Sequence, residues 1–221
     1  MSLDATLFDR MARDLYVAVI SDMLDGIGLR NQVMRPFVRP IDPSRAPVLV
    51  GRAATVVVAP QFEVVEQPYT NQIAAIDALT PDDVVVIATG GNDEIAVWGE
   101  LFSNAALARG GRGMVTDGCH RDTRMIQQLN FPVFSRGSRP VDISGRGTVV
   151  SYGRPVDVAG VRIVPGDIVF AEIDGIAVIP QGVADEVVQR AFEKVEKEDG
   201  AREDLRNGAL LAEVWTRYKV L

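Results

Sequence analysis

The heptad TDGCHRD, residues 116–122, sets four residues capable of chemistry side by side: Cys119, His120, Arg121 and Asp122. Cys119 is the one cysteine of the chain and His120 its one histidine, so a thiolate–imidazole pair is the first chemistry to test. Such a dyad needs the sulfur within hydrogen-bond reach of a ring nitrogen, and a third group to hold the base. Neighbours leaving a strand point to opposite faces, which works against a pair made of adjacent residues. A lone buried thiol otherwise behaves as a small apolar side chain. That second reading is the one preferred for Cys119 and His120.

Arg121 and Asp122 are read differently because of where they fall. Both lie where a strand gives way to a helix, at the carboxyl edge of an expected parallel sheet, the edge where open α/β sheets take ligands. The preceding strand–helix junction, AVWGELF, should reach the same edge. Its Gly99 permits close approach of a ligand to the backbone, and the amides that follow open a helix able to receive an anion. Glu100 adds a carboxylate, separated from Arg121 by twenty residues. Together these parts suit a 2-oxo acid with a divalent metal. Asp122 offers hard oxygen to Mg2+ or Mn2+, which need only one or two protein carboxylates, and Arg121 can meet a carboxylate or a developing enolate oxygen. The competing reading is a helix cap with a surface ion pair.

The elements that must position these residues follow from the pattern. A helical segment over about 4–26 carries Val17, Ile20 and Leu24 at helical spacing. The proline-rich connector RPFVRPIDPSRAP leads to a β run, VLVGRAATVVVAP. Residues 70–79 read as helix, and DDVVVIATGG as a strand buried on both faces. Helices at about 100–109 and 121–129 alternate with the short strands GMVTDG and FPVFSRG, which implies βαβ crossovers and a parallel sheet. Beyond residue 140 short β runs with glycine turns take over, and a charged helical region spans about 183–219. The expected class is a mixed α/β single domain with a β-rich second half and a helical tail.

Composition narrows the chemistry. At 221 residues, 47% apolar and 24% charged, the chain reads as an ordinary globular domain. A net charge of −7 argues against a general nucleic-acid binder. The three lysines, Lys194, Lys197 and Lys219, all come late, so the stretch before residue 194 offers no lysine for Schiff-base chemistry. DGIG, ATGGNDE and SRGSRP match no phosphate-loop pattern and read as turns, as do Asp167 and Asp174 within PGDIVFAEIDGIAVIP. One cysteine, a charged N-terminal stretch and no apolar run of membrane-spanning length lead to the expectation of a cytoplasmic protein with no membrane partner.

The run AVWGELFSNAALARGGRGMVTDGCHRD resembles the 4-hydroxy-4-methyl-2-oxoglutarate aldolase family, which includes proteins similar to the RNase E activity regulator RraA. The likeness extends over ISDMLDG, LVGRAATV, VRIVPGDIVFAEIDGIAVIP and EKEDGAREDLRNGALLAEVW, nearly the whole chain. It implies a swivelling-type β/β/α single domain over residues 1–221, with a central mixed sheet and a helical tail, 183–221, packing on a neighbouring subunit. It also implies a homotrimer or homohexamer with sites at subunit interfaces. The family pattern is an acidic residue, twenty intervening residues, then Arg-Asp, matched here by Glu100, Arg121 and Asp122, with Glu in place of the usual Asp at position 100.

Carried over, Asp122 is the metal ligand and Arg121 the partner of the pyruvyl oxygens. Backbone amides around Gly99, Glu100 and Leu101 hold the substrate carboxylate, and Glu198 from a neighbouring tail completes the site. The implied activity is that of a carbon–carbon lyase using Mg2+ or Mn2+. It is a class II pyruvate aldolase acting on 4-hydroxy-2-oxo acids, or an oxaloacetate decarboxylase, working through a metal-stabilised pyruvate enolate. The alternative is a non-catalytic RraA-like protein that binds a ribonuclease. A methyltransferase reading finds no nucleoside-binding glycine loop to support it.

Overall fold

The computed structural model describes residues 3–220. In chain order it contains α1 (Ala5–Asp14), α2 (Val17–Gly26), β1 (Arg39–Pro40), β2 (Leu49–Pro60), α3 (Thr70–Asp77), β3 (Asp83–Ala88), β4 (Ala96–Trp98) and α4 (Glu100–Ala108). These are followed by β5 (Gly113–Thr116), β6 (Cys119–His120), α5 (Thr123–Gln128), β7 (Val133–Ser135), β8 (Gly137–Ser138) and β9 (Gly147–Tyr152). The last third holds β10 (Val156–Val158), β11 (Val161–Ile163), β12 (Ile168–Glu172), β13 (Gly175–Ile179), α6 (Ala184–Arg206) and α7 (Leu211–Tyr218).

The main sheet runs β1-β7-β5-β3-β2-β12-β13, with β9 also on β2. Its centre, β7-β5-β3-β2, is parallel, as the alternation of strands and helices predicts. The long strand β2 is the seam. It pairs antiparallel with β12 through its first residues, parallel with β3 through its middle and antiparallel with β9 at its end, with an irregularity between Val57 and Val58. The result is a mixed α/β domain of the swivelling β/β/α type.

Strand β3 explains the continuous apolar run. Val84 and Val86 face one buried cluster, with the β10–β11 hairpin, while Val85 and Ile87 face another, with α3, α4 and α5. A strand covered on both faces has no polar side to alternate with. A third cluster packs α1, α2 and the first half of α6 on the outer face of β12 and β13.

The expected helix over 4–26 is two helices. Leu15 and Tyr16 are extended, and the Val17 amide that opens α2 donates to Glu172 Oε1 at 2.8 Å. The break is held by a carboxylate 155 residues away, beyond the reach of local periodicity. The tail is likewise divided, into α6 and α7 at residues 207–210. Within the proline-rich connector, Arg39–Pro40 adds a short edge strand to β7. The expected helix over 121–129 begins only at Thr123, so Arg121 and Asp122 precede it.

The largest departure concerns the site. The two strand–helix junctions do not end strands of the main sheet. They end β4 and β6, which with β8 form a separate three-stranded parallel sheet. Strand β5 instead stops at Thr116, and the buried Asp117 then turns the chain, accepting from Thr89 N, Thr89 Oγ1 and Gly91 N at 2.7–2.9 Å. Asp167 is also a turn former, accepting from the Val164 and Gln181 amides.

Candidate functional site

In the small sheet Trp98 pairs with His120, and His120 with Ser138. The next residue on each strand is therefore Gly99, Arg121 and Arg139. Backbone bonds carry the alignment past the strand ends: Arg121 N donates to Trp98 O and Arg139 N to His120 O, both at 2.8 Å. Three parallel strand ends thus open on one edge, where Arg121, Asp122, Thr123, Ser138, Arg139 and Pro140 line an open cleft of about 330 Å3.

The β4–α4 corner is rigidly built. Trp98 is buried, stacks on Phe131, and donates from Nε1 to Ser103 Oγ at 2.8 Å; Ser103 Oγ donates in turn to Gly99 O. Gly99 is required here for space. A Cβ at this position would stand 2.6 Å from Asp122 Oδ2 and 3.3 Å from Arg121 Cγ.

Asp122 precedes α5 with φ of +63°, in the left-handed region that a non-glycine residue rarely occupies. Its carboxylate does not cap its own helix. Oδ2 accepts instead from the Glu100 amide at 3.1 Å, at the positive end of α4. Oδ1 accepts no hydrogen bond among the described residues, and the side chain is more than a third exposed.

Arg121 reaches two carboxylates, Asp142 Oδ1 at 3.2 Å and Asp122 Oδ2 at 3.9 Å. Asp142 also accepts from the Tyr69 hydroxyl and from the Ser144 amide. Burial works to raise the Asp142 pKa. The Tyr69 hydroxyl, the Ser144 amide and the Arg121 charge outweigh it and hold the carboxyl below its ordinary value. The same bond to Asp142 pushes the Tyr69 hydroxyl up. Neither residue was singled out from the sequence, and only the tertiary contact brings Tyr69 to Asp142.

The other expected residues divide. The Glu100 amide is engaged by Asp122, while the Leu101 amide, in the first turn of α4, has no acceptor among the described residues. The Glu100 side chain turns along its helix to accept from Asn104 Nδ2, with no ion pair to Arg121. Glu198 lies on α6, flanked by Lys194 at 3.6 Å and Arg202 at 3.9 Å, and makes no contact with the Arg121–Asp122 cluster of its own chain. Burial raises its pKa, opposed by Arg202. No group of three or more His, Cys, Asp or Glu poised for a metal exists among the described residues.

Cys119 and His120 diverge, as opposite faces require. Among the described residues the thiol's one hydrogen-bond partner is the Asp93 carbonyl, at 3.6 Å, and burial raises its pKa. His120 is buried, with Nδ1 2.8 Å from Ser135 Oγ and Nε2 2.8 Å from Thr123 Oγ1. The Ser135 hydroxyl is also placed to donate to Gly137 O at 3.2 Å, an arrangement in which Nδ1 carries the proton and Nε2 accepts. Burial lowers the imidazole pKa, in keeping with a neutral ring.

A family model described as RraA-like, Aldolase/RraA, matches residues 17–178. The chain belongs to the RraA-like family. The match takes in all three strand ends of the cleft and leaves Glu198 outside it. This RraA-like chain is 32% identical over 194 residues to a Halalkalibacterium halodurans protein named "Putative 4-hydroxy-4-methyl-2-oxoglutarate aldolase", covering 86% of this chain and 84% of the relative. Among solved structures it resembles an uncharacterized Pseudomonas syringae protein, with a TM-score of 0.85 and 29% identity over 99% of this chain and 96% of the other. It also resembles Streptomyces coelicolor RraAS2, described as an unusual member of the RNase ES inhibitor RraA protein family, with a TM-score of 0.80 and 28% identity over 90% and 96% of the two chains. No described helix is long and apolar enough to cross a membrane.

Proposed function

We propose that this RraA-like chain is a divalent-metal-dependent carbon–carbon lyase that releases pyruvate from 4-hydroxy-2-oxo acids, from oxaloacetate, or from both. The observation that carries the reading is the pairing of Asp122 and Arg121 at the N-terminus of α4. A strained backbone presents one carboxylate oxygen without a partner beside a guanidinium. Strain of this kind persists where function uses it.

The donor set fits Mg2+ or Mn2+. These ions take one or two protein carboxylates and fill their remaining positions with solvent and substrate oxygens, and Asp122 Oδ1 is one such donor. Bound there, the ion would supply Lewis-acid polarisation of the 2-oxo acid.

The chain's own groups do the rest. The Leu101 amide and the positive end of α4 receive the substrate carboxylate. Arg121 stands beside the 2-oxo oxygen and stabilises the negative charge that collects there as the C3–C4 bond breaks. The electron pair of that bond passes into the pyruvate enolate, the C4 fragment leaves as a carbonyl compound or as CO2, and protonation at C3 gives pyruvate. Aldol cleavage also removes the proton of the C4 hydroxyl, a role assigned to Glu100 through solvent. Decarboxylation needs no such base. Glu198 is assigned to the cleft of a neighbouring copy in a homotrimer or homohexamer.

The test is pyruvate release from oxaloacetate and from several 4-hydroxy-2-oxo acids, with Mg2+ or Mn2+ and with a chelator, beside a pull-down with the ribonuclease. Metal-dependent release of pyruvate supports the lyase. Ribonuclease binding without release from any substrate would make the chain a regulator, as the description of its Streptomyces relative suggests.

A further inference from the structure

Of the two arginines on the cleft, only one has its charge matched. Arg121 lies 3.2 Å from Asp142 and 3.9 Å from Asp122. Arg139, at the corresponding end of the neighbouring strand, forms no ion pair among the described residues. It is also not a loose surface side chain. Its amide is fixed to His120 O at 2.8 Å, and its Nε donates to the Glu94 carbonyl at 3.0 Å. With Nε held, the two terminal nitrogens remain as an oriented fork. That fork matches a carboxylate, which a planar guanidinium can bind through two parallel bonds.

We infer that Arg139 is the specificity residue of the cleft, binding a second carboxylate on the far side of the scissile bond and selecting 2-oxo dicarboxylic acids over monocarboxylic ones. The assignment rests on the lyase reading for its position relative to the bond that breaks. Adjacent strands lie about 5 Å apart, so the β6 and β8 ends are set apart by the scale of a four- or five-carbon diacid. Arg121 and the α4 terminus take the 2-oxo acid end, and Arg139, with the Ser138 hydroxyl beside it on the cleft wall, takes the other. A cation left unmatched beside a chain of net charge −7 also draws a dianion toward the correct strand end.

Binding separates this inference from the question of catalysis. Calorimetry with Mg2+ would compare 2-oxoglutarate with 2-oxopentanoate, equal in chain length but lacking the distal carboxylate, in the wild type, Arg139→Gln and Arg139→Lys. The wild type is expected to prefer the diacid by about tenfold or more, the scale of one charge-assisted interaction. Arg139→Gln should abolish the preference by weakening only the diacid, and Arg139→Lys should retain part of it. Kinetics should agree: kcat/KM for oxaloacetate falls through KM in Arg139→Gln, while that for 4-hydroxy-2-oxopentanoate stays within about twofold.

A wild type that does not discriminate, or an Arg139→Gln protein that still does, overturns the assignment. If the wild type releases no pyruvate yet shows the preference and loses it in Arg139→Gln, the lyase reading fails and the diacid site stands.

Discussion

The carboxylate of Asp122 caps a helix that is not its own: its Oδ2 accepts from the Glu100 amide at 3.1 Å, at the start of α4, while its own helix α5 follows it uncapped. The bond couples two strand–helix junctions separated by a whole crossover. It also holds the carboxylate so that one oxygen is spent on structure and the other is left for chemistry. The cap weighed from the sequence is therefore present, on α4 and not on α5, and it leaves Oδ1 free for the role proposed above.

Gly99 makes that arrangement possible. A Cβ there would stand 2.6 Å from Asp122 Oδ2, and the carboxylate would have to move. Gly99→Ala is expected to reduce pyruvate release by at least about tenfold, as misplacement of a reacting group does. Gly99 is extended, with φ of −152°, so alanine adds no backbone strain and the thermal midpoint should fall by only a few degrees. Steady-state kinetics beside thermal unfolding separates the two effects.

Asp142 gives a pH signature. Its folded-state pKa is depressed, so the stability it contributes is fully present above the unfolded-state value of about 4 and is lost as pH falls through the lower folded value. The stability gap between the wild type and Asp142→Asn should be constant near neutral pH and should close in acid. Tyr69→Phe removes one of the bonds that depress the pKa, so in that background the gap opened by Asp142→Asn should be smaller and should finish closing at a higher pH. Denaturant unfolding across pH 2–7 measures both, and a gap that widens in acid would refute the sign.

Cys119 and His120 are predicted to be scaffold. Cys119→Ala should leave activity within about twofold of wild type, and the native thiol should react slowly with alkylating reagents, being buried with a raised pKa. His120→Ala leaves the Ser135 and Thr123 hydroxyls without their ring partners and should cost about 1–3 kcal/mol of stability. Activity of the folded fraction should survive both changes.

Glu198 tests assembly. It makes no contact with the Arg121–Asp122 cluster of its own chain, so a catalytic contribution has to cross to another copy. Glu198→Gln and Asp122→Asn proteins, each inactive alone, should regain part of the activity when dissociated together and reassembled. Mixed oligomers without any recovery would remove Glu198 from the site.

What could be read from the sequence was local or strongly patterned. The doubly buried β3 showed as an uninterrupted apolar run, and the four residues Gly99, Glu100, Arg121 and Asp122 fell within one crossover. The small sheet escaped because β6 and β8 are two residues long and β4 three, too short for any period to register. Arg139 sat in SRGSRP, read as a turn, and acquires meaning only from its register beside Arg121. Tyr69 and Asp142 meet across 73 residues, and the Glu172 cap that splits α1 from α2 acts across 155. Contacts of that span leave no mark on the chain near either end.

The central claim is that Asp122 serves a metal-dependent reaction and not only the start of α4. Asp122→Asn keeps an oxygen able to accept from the Glu100 amide but loses the charge, whereas Asp122→Ala loses both. Pyruvate release from oxaloacetate with Mg2+ should fall at least about a hundredfold in both proteins, the scale of losing an electrostatic group at a reacting centre. Stability should fall by about 0.5–2 kcal/mol in Asp122→Ala, the worth of a cap, and by less in Asp122→Asn. Metal-dependent release retained by a folded Asp122→Asn protein would contradict the account.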